Sequence, residues 1–330
     1  MSRMQDEIDR SATGPYAGID IGKTVLDVCL LGSATTHQVP NTGPGIRRLI
    51  RLFQHYGVRL IALEATGRYH RLAHEMLHEA GLAVAVINPY RSRKFADALG
   101  RLAKSDRIDA AVLARFAASM QPVPTAPASK DHKALRDLTV ARRQVCQEIG
   151  DLRRQLYETE HPLIARQIRA RIKMAERHQA VLEQEMRTLV AAHDALRHRF
   201  RILTSIPGIG FVTATTMLTD LCELGQANAR EIAALAGLAP MNRDSGTMRG
   251  VRAIRGGRPH VRNALYMGAV SQIRKEGQAG AFYRRLVRDG KKPKVALTAV
   301  MRKLVVLANT LVAEDRHWQP EPPTSQPASA

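Results

Sequence analysis

The sequence predicts an α/β domain at the N-terminus and a helical remainder, on three observations. Up to about residue 120, short apolar runs of strand length alternate with helical patterns. A proline-bearing stretch with Pro122, Pro124 and Pro127 then divides the chain. Beyond it, apolar residues recur at helical spacing over long distances.

The elements follow in order. Tyr16 to Ile21 and Val25 to Leu30 are apolar runs separated by Gly22-Lys23-Thr24, which suits a tight hairpin. A weaker third strand covers Thr35 to Val39. Asn41 to Gly45 is turn-rich, and Ile46 to Tyr56 has the periodicity of an amphipathic helix. Leu60 to Leu63 is a short buried-type strand ending at Glu64. Arg68 to Ala80 is helical, closed by Gly81. Leu82 to Ile87 is a strand stopped by Asn88-Pro89, and helices follow over Arg91 to Leu99 and Ser105 to Ser119. Three strands, helix, strand, helix, strand, helix is the order of a ribonuclease-H-like (RuvC-like) core. There, an antiparallel meander continues into a parallel αβ unit. This domain spans residues 14–120.

Residues 121–130 form a Pro-rich linker. In 131–200, Leu135, Leu138, Val145, Ile149, Leu152 and Leu156 keep near-heptad spacing. Past Pro162 the spacing continues through Ile164, Ile168, Ile172, Ala175, Leu182, Met186, Leu189, Leu196 and Phe200. The pattern reads as two coiled-coil helices, a hairpin or a dimer seam, with two core helices of a bundle as the alternative. A mainly α C-terminal domain covers 201–315. The tail, 316–330, is rich in Pro, Ser and Ala from Gln319 onward and is expected to be disordered.

The 330 residues carry a formal charge of +20 and a pI of about 10.6. That surplus favours a polyanionic partner: DNA, RNA or an anionic membrane surface. Aromatics are scarce at 4%, which favours phosphate contacts by Arg and Lys over base stacking. No uninterrupted apolar run reaches membrane-spanning length and the N-terminus has no signal-peptide core, so a cytoplasmic location without membrane contact is expected. Cys29, Cys146 and Cys222 fit no metal or disulfide spacing.

Four acids carry the chemistry. Asp20 interrupts an apolar strand, Ala17-Gly18-Ile19-Asp20-Ile21, where a carboxylate is costly unless paired or metal-bound. Glu64 ends the fourth strand. Asp106 and Asp109, at i and i+3, share one helix face behind a candidate N-cap, Ser105. The ribonuclease-H-like topology would gather all four, and hard oxygen ligands suit one or two Mg²⁺ (or Mn²⁺) ions. Plainer readings compete at each position. Asp106 and Asp109 suit a solvated helix N-terminus, and Glu64 a strand-end surface residue. Gly18 to Thr24 also resembles the phosphate loop of actin-like kinases.

In the C-terminal part, Ile206-Pro207-Gly208-Ile209-Gly210 before an apolar helix resembles a helix-hairpin-helix loop. There, Gly208 and Gly210 would admit a DNA phosphate. An ordinary glycine turn is the equal alternative. Ser245 lies in Asp244-Ser245-Gly246, followed by Arg249, Arg252, Arg255, Arg258 and Arg262 with interleaved glycines. Those arginines suit phosphate contacts. Ser245 suits either a nucleophile towards phosphorus or a turn residue. Lys104 and Arg107, beside the helix acids, are further candidate nucleic-acid contacts.

Taken together, Gly18-Ile19-Asp20, Leu63-Glu64-Ala65-Thr66-Gly67, Asn88-Pro89, Lys104 to Ala110, Ile206 to Gly210, and Gly237-Leu238-Ala239-Pro240 with Ser245-Gly246 resemble a known family. It is the DEDD transposases of bacterial insertion sequences, which include Piv-type DNA invertases. The resemblance covers about Tyr16 to Ala313. It implies a RuvC-like domain with Asp20, Glu64, Asp106 and Asp109 as the four metal-holding acids. It also implies Ser245 as the nucleophile that forms a phosphoserine link to DNA. A structured bridge RNA would pair with donor and target DNA, and the coiled coil would join a homo-oligomer, a dimer or tetramer. The alternatives are a RuvC-like junction nuclease using water, an actin-like ATPase, and a non-enzymatic nucleic-acid-binding protein.

Overall fold

The computed structural model describes residues 16–32, 36–100, 106–241 and 253–320, with the backbone alone for 106–108. The chain falls into two compact units that divide between Ala128 and Ser129.

The first unit is built on one five-stranded sheet. Its strands are β1 (Tyr16–Ile21), β2 (Val25–Leu30), β3 (Thr36–Pro40), β4 (Leu60–Glu64) and β5 (Val84–Ile87). The spatial order is β3-β2-β1-β4-β5. β1, β2 and β3 pair antiparallel, whereas β1, β4 and β5 pair parallel. The predicted meander and parallel continuation are therefore both present. The helices are α1 (Gly43–His55), α2 (His70–Glu79), α3 (Pro89–Ala98) and α4 (Asp106–Met120).

Two helices begin earlier than their apolar periodicity, for a local reason. Thr42 caps α1, its hydroxyl accepting from the Gly45 N–H at 3.4 Å, and a proline sits in the first turn. Asn88 caps α3 by accepting from the Tyr90 N–H at 2.8 Å, with Pro89 opening the helix. Residues that read as turn or stop signals are here helix caps.

One sheet face packs Ile19, Ile21, Leu26, Val28, Ile61 and Leu63 against Ile46, Leu49 and Phe53 of α1 and Leu77 of α2. The other face receives α4. A Cβ on Gly18 would lie 2.1 Å from the Ala110 carbonyl oxygen and 2.3 Å from the Ala114 nitrogen. β1 and α4 thus touch backbone to backbone at a position only glycine permits. The linker does not run free, since the Thr125 N–H donates to the Val84 carbonyl (2.8 Å) and its hydroxyl accepts from the Val86 N–H (2.8 Å). His74, buried on α2, donates to the Thr125 carbonyl at 2.6 Å.

The second unit opens with α5 (Lys130–Glu158) and α6 (Pro162–Ala192). Leu135 packs with Met186 and Val190, while Arg142 pairs with Glu183 and Arg153 with Glu176. Partners ascend on one helix as they descend on the other, so the two form an antiparallel hairpin. Pro162 opens α6, with His161 as its cap. Ile149, Leu152, Ile168 and Ala175 of the predicted seam are buried, but Ile164 is 47% exposed. Ala165, one residue on, is buried instead.

The remaining helices are α7 (Asp194–Ser205), α8 (Phe211–Asp220), α9 (Ala229–Leu235), α10 (Pro259–Ile273), α11 (Gln278–Arg288) and α12 (Pro293–Ala313). A two-residue ribbon pairs β6 (Pro240–Met241) with β7 (Ala253–Ile254). By length and average composition α12 could cross a membrane, although Lys294, Arg302 and Lys303 interrupt its apolar residues. Its Leu297, Val300, Met301, Leu304, Val305, Ala308 and Leu311 are buried in this unit's core, which accounts for the composition.

Candidate active site on the first sheet

The sheet alternation decides which acids meet. Asp20 stands opposite Asp27 on β2, which stands opposite Gln38 on β3. Directly opposed residues project to the same face. Asp20 shares its side of β1 with Gly18, the residue pressed by α4, because side chains two apart point the same way. Glu64, one step beyond the Ile19–Leu63 pair, extends the row onto β4. Asp20 and Glu64 are half-buried, and the Glu64 Oε2 accepts from the Ser92 hydroxyl of α3 at 2.9 Å.

α4 supplies the other acids. Tyr16 shares a buried cluster with Phe116 and Ala117, while Gly18 faces Ala110 to Ala114. Moving up β1 therefore meets successively earlier turns of α4, and its first turn, with Asp106 and Asp109, lies towards the Asp20 end. Asp109 is half-buried. The side chains of Asp106 and Arg107, and all of Lys104 and Ser105, lie outside the described residues. Among the described residues no three Asp, Glu, His or Cys side chains already converge as a metal cage. The donor set is nonetheless carboxylate oxygen throughout, which is the chemistry Mg²⁺ and Mn²⁺ take.

Two polar residues at this edge were not singled out from the sequence. Asn41 donates through Nδ2 to the Gly22 carbonyl (3.0 Å) and the Tyr69 carbonyl (3.1 Å). It thereby ties the loop after β1 to the loop after β4. Asp27 is 7% exposed, and it interrupts an apolar strand as Asp20 does. The signal that picked out Asp20 was thus present twice.

In the second unit, Ser245, Arg249 and Arg252 lie outside the described residues. The base of their segment is described. A Cβ on Gly257 would lie 2.1 Å from the Gly237 nitrogen, and both glycines have positive φ (67° and 69°). The Arg262 Nη1 donates to the Gly256 carbonyl at 3.0 Å. Arg258 makes a two-pronged pair with Glu223 (2.6 and 2.7 Å) and also donates to the Asp220 carbonyl at 2.9 Å. These two arginines have internal partners, while Arg255 is exposed. Burial alone would push the Glu223 carboxyl up, but Arg258 overcomes it and holds the pKa below the usual range. Arg258 is raised by the same contact.

The Gly208 loop joins α7 to α8. Gly208 has φ of 83°, and a Cβ there would lie 2.7 Å from the Gly268 carbonyl oxygen of α10. The Gln272 amide donates to the Pro207 carbonyl. One side of the loop therefore serves internal packing. Gly210 caps α8 with open space around it.

Two family models match the chain, and the first runs past the division between the units to the end of α5. Residues 17–159 match a transposase model of the DEDD IS110 type, and residues 200–284 match the transposase model of the IS116/IS110/IS902 family. The chain is 29% identical over 322 residues to a pilin gene-inverting protein of Moraxella bovis, covering 91% of this chain and 96% of the relative. A pilin gene-inverting protein of Moraxella lacunata is 29% identical over the same shares. A putative transposase of Sinorhizobium fredii is 24% identical over 91% of this chain and 89% of its own length.

Proposed function

The chain belongs to the DEDD transposases of the IS110 type and is a DNA transposase/recombinase; from that premise we propose how its residues divide the work. Asp20, Glu64, Asp106 and Asp109 hold one or two Mg²⁺ or Mn²⁺ ions, and Ser245 is the nucleophile. The observation that carries this is the acidic row on the α4 face of the first sheet. Glu64 is oriented there by Ser92, and the first turn of α4 lies towards Asp20. A divalent ion held there supplies charge stabilisation to a phosphodiester displacement.

A serine hydroxyl is a weak nucleophile at its free pKa and needs such help. Attack by the Ser245 Oγ on phosphorus breaks one P–O bond of the DNA strand. It leaves a phosphoserine ester and a strand ending in a hydroxyl. Attack by a second strand's hydroxyl on that ester restores the serine and joins the new partner. The bond count is conserved, so exchange runs without ATP. The arginines around Ser245, Arg249, Arg252 and Arg255 above all, would neutralise charge developing on the phosphate oxygens.

Donor and target DNA are the substrates, and a structured bridge RNA pairs with both and chooses the sequences. A charge of +20 with 4% aromatics supports broad phosphate contact of this kind. The helical hairpin α5–α6 serves assembly into a dimer or tetramer as a coiled coil. Leu163, Met174 and Val181, exposed on one stripe of α6, support that role.

The test is recombination between plasmids in cells, with the native flanking DNA supplied. Asp20→Asn and Ser245→Ala are each expected to abolish exchange while the proteins stay folded. Full activity of Ser245→Ala would exclude the serine mechanism and favour attack by water.

A further inference from the structure

We infer that the outer stripe of α3, Tyr90 with Arg93 and Lys94, is a platform for an unpaired DNA base and its phosphates beside the acidic row. The inference deepens the site proposed above and rests on it for its place in the reaction. Glu64 stands opposite Ile87 in the pairing of β4 with β5. α3 begins two residues after Ile87. Three trans peptides keep the Tyr90 Cα within about 11 Å of the Ile87 Cα. The stripe therefore starts at the rim of the proposed site.

Packing accounts for the inner side of this helix. Ser92 is buried and donates to Glu64 at 2.9 Å. Phe95 meets the Phe116 ring edge-on at 5.2 Å between centroids, and the Arg91 guanidinium lies 5.5 Å over the same ring. These contacts hold α3 to Glu64 and to α4. Tyr90, Arg93 and Lys94, at i, i+3 and i+4, share a different face. Tyr90 is 69% exposed, and both cations are exposed beside it. The Lys94 Nζ lies 5.9 Å from the Tyr90 ring centroid. Arg93 and Lys94 share one carboxylate, Asp97, at 3.8 and 3.0 Å. The stripe thus keeps a positive surplus, and exposed pairs of this kind are weak enough to yield to a phosphate.

An open aromatic ring flanked by cations suits single-stranded nucleic acid. The ring stacks on any base, and the cations take the neighbouring phosphates. In a duplex the base faces are already covered by their neighbours, so the ring engages only a strand that has left its complement. Strand exchange parts the strands where they are cut and rejoined. A base held on Tyr90 there fixes the strand next to the acids.

The experiment uses the full chain in EDTA, with a short oligothymidylate, an oligouridylate of the same length and a DNA duplex as probes. Tyr90→Ala should keep the wild-type melting temperature and bind the oligothymidylate about tenfold more weakly. Tyr90→Phe should bind it like wild type. Arg93→Ala and Lys94→Ala should each lower the salt slope of that binding by about 0.7. A single iodouracil in the oligothymidylate should photo-crosslink at Tyr90. Tyr56→Ala is the control, because Tyr56 is 52% exposed and precedes β4 at the end away from Glu64. It should change nothing. Undiminished binding by Tyr90→Ala, an equal loss in Tyr90→Phe or on the duplex, a loss confined to the RNA, or crosslinks only at other residues would overturn the inference. Recombination in cells separates it from the site reading. Tyr90→Ala should lower exchange and Tyr90→Phe should keep it. An Asp20→Asn protein that still recombines would overturn the acidic site, and with it the stripe's place in the reaction, but not the measured binding.

Discussion

At the scale of single residues, the sheet face proposed to carry the chemistry is set by one glycine and a few polar side chains. Gly18 lets α4 seat on β1, and a methyl group there would collide with the Ala110 and Ala114 backbones. Gly18→Ala is therefore expected to cost about 3 kcal/mol or more, because neither partner is a side chain that can turn away. Urea unfolding of the full chain would measure it, and a loss under 1 kcal/mol would show that α4 shifts freely. Asp20 was legible in the sequence because a carboxylate inside an apolar strand is costly. Asp27 carried the same signal, but its relation to Asp20 depends on strand register, which no short-range pattern states. Ser92 and Asn41 were not legible, since a serine in a helix and an asparagine after a strand look like ordinary turn and surface residues. Only the tertiary arrangement aims Ser92 at Glu64 and places Asn41 between two carbonyls.

At the scale of elements, the order of strands and helices was readable because each has a length and period of its own. Boundaries moved where a residue read as a stop was a cap, as at Thr42 and Asn88. The linker was read from its prolines, but its pairing with β5 through Thr125 was not, because no local pattern marks an edge that borrows a loop. In the second unit, Arg258 pairs with Glu223. Part-exposed as it is, this pair contributes on the order of 1 kcal/mol. Glu223 has a lowered folded pKa, so its contribution is full above the ordinary glutamate value near 4.3. It is lost as pH falls through the folded value. The melting-temperature advantage of wild type over Glu223→Gln should therefore be present at pH 6 and fade as pH drops below about 4. A constant difference across that range would show that the pair does not titrate with folding.

At the scale of the whole molecule, the charge of +20 decides how the chain meets its substrate. Exposed cations such as Arg284, Arg285, Arg288, Lys291 and Lys292 gather on and after α11. Binding to a non-specific DNA duplex should weaken about a thousandfold between 50 and 200 mM salt, readable by fluorescence anisotropy. A flat salt response would remove phosphate contact as the main source of affinity. Composition made this partner class legible, whereas the proposed joint use of the acids and Ser245 rests on no single motif. The acids belong to the first unit and Ser245 to the second. The most direct test of the account is therefore a covalent trap. The protein, with its flanking RNA and a nicked donor duplex, is incubated in Mg²⁺ and run under denaturing conditions. A protein–DNA adduct is expected with wild type, and none with Ser245→Ala, with Asp20→Asn or in EDTA. Magnesium-dependent cleavage by Ser245→Ala, with or without an adduct, would contradict a joint carboxylate and serine site.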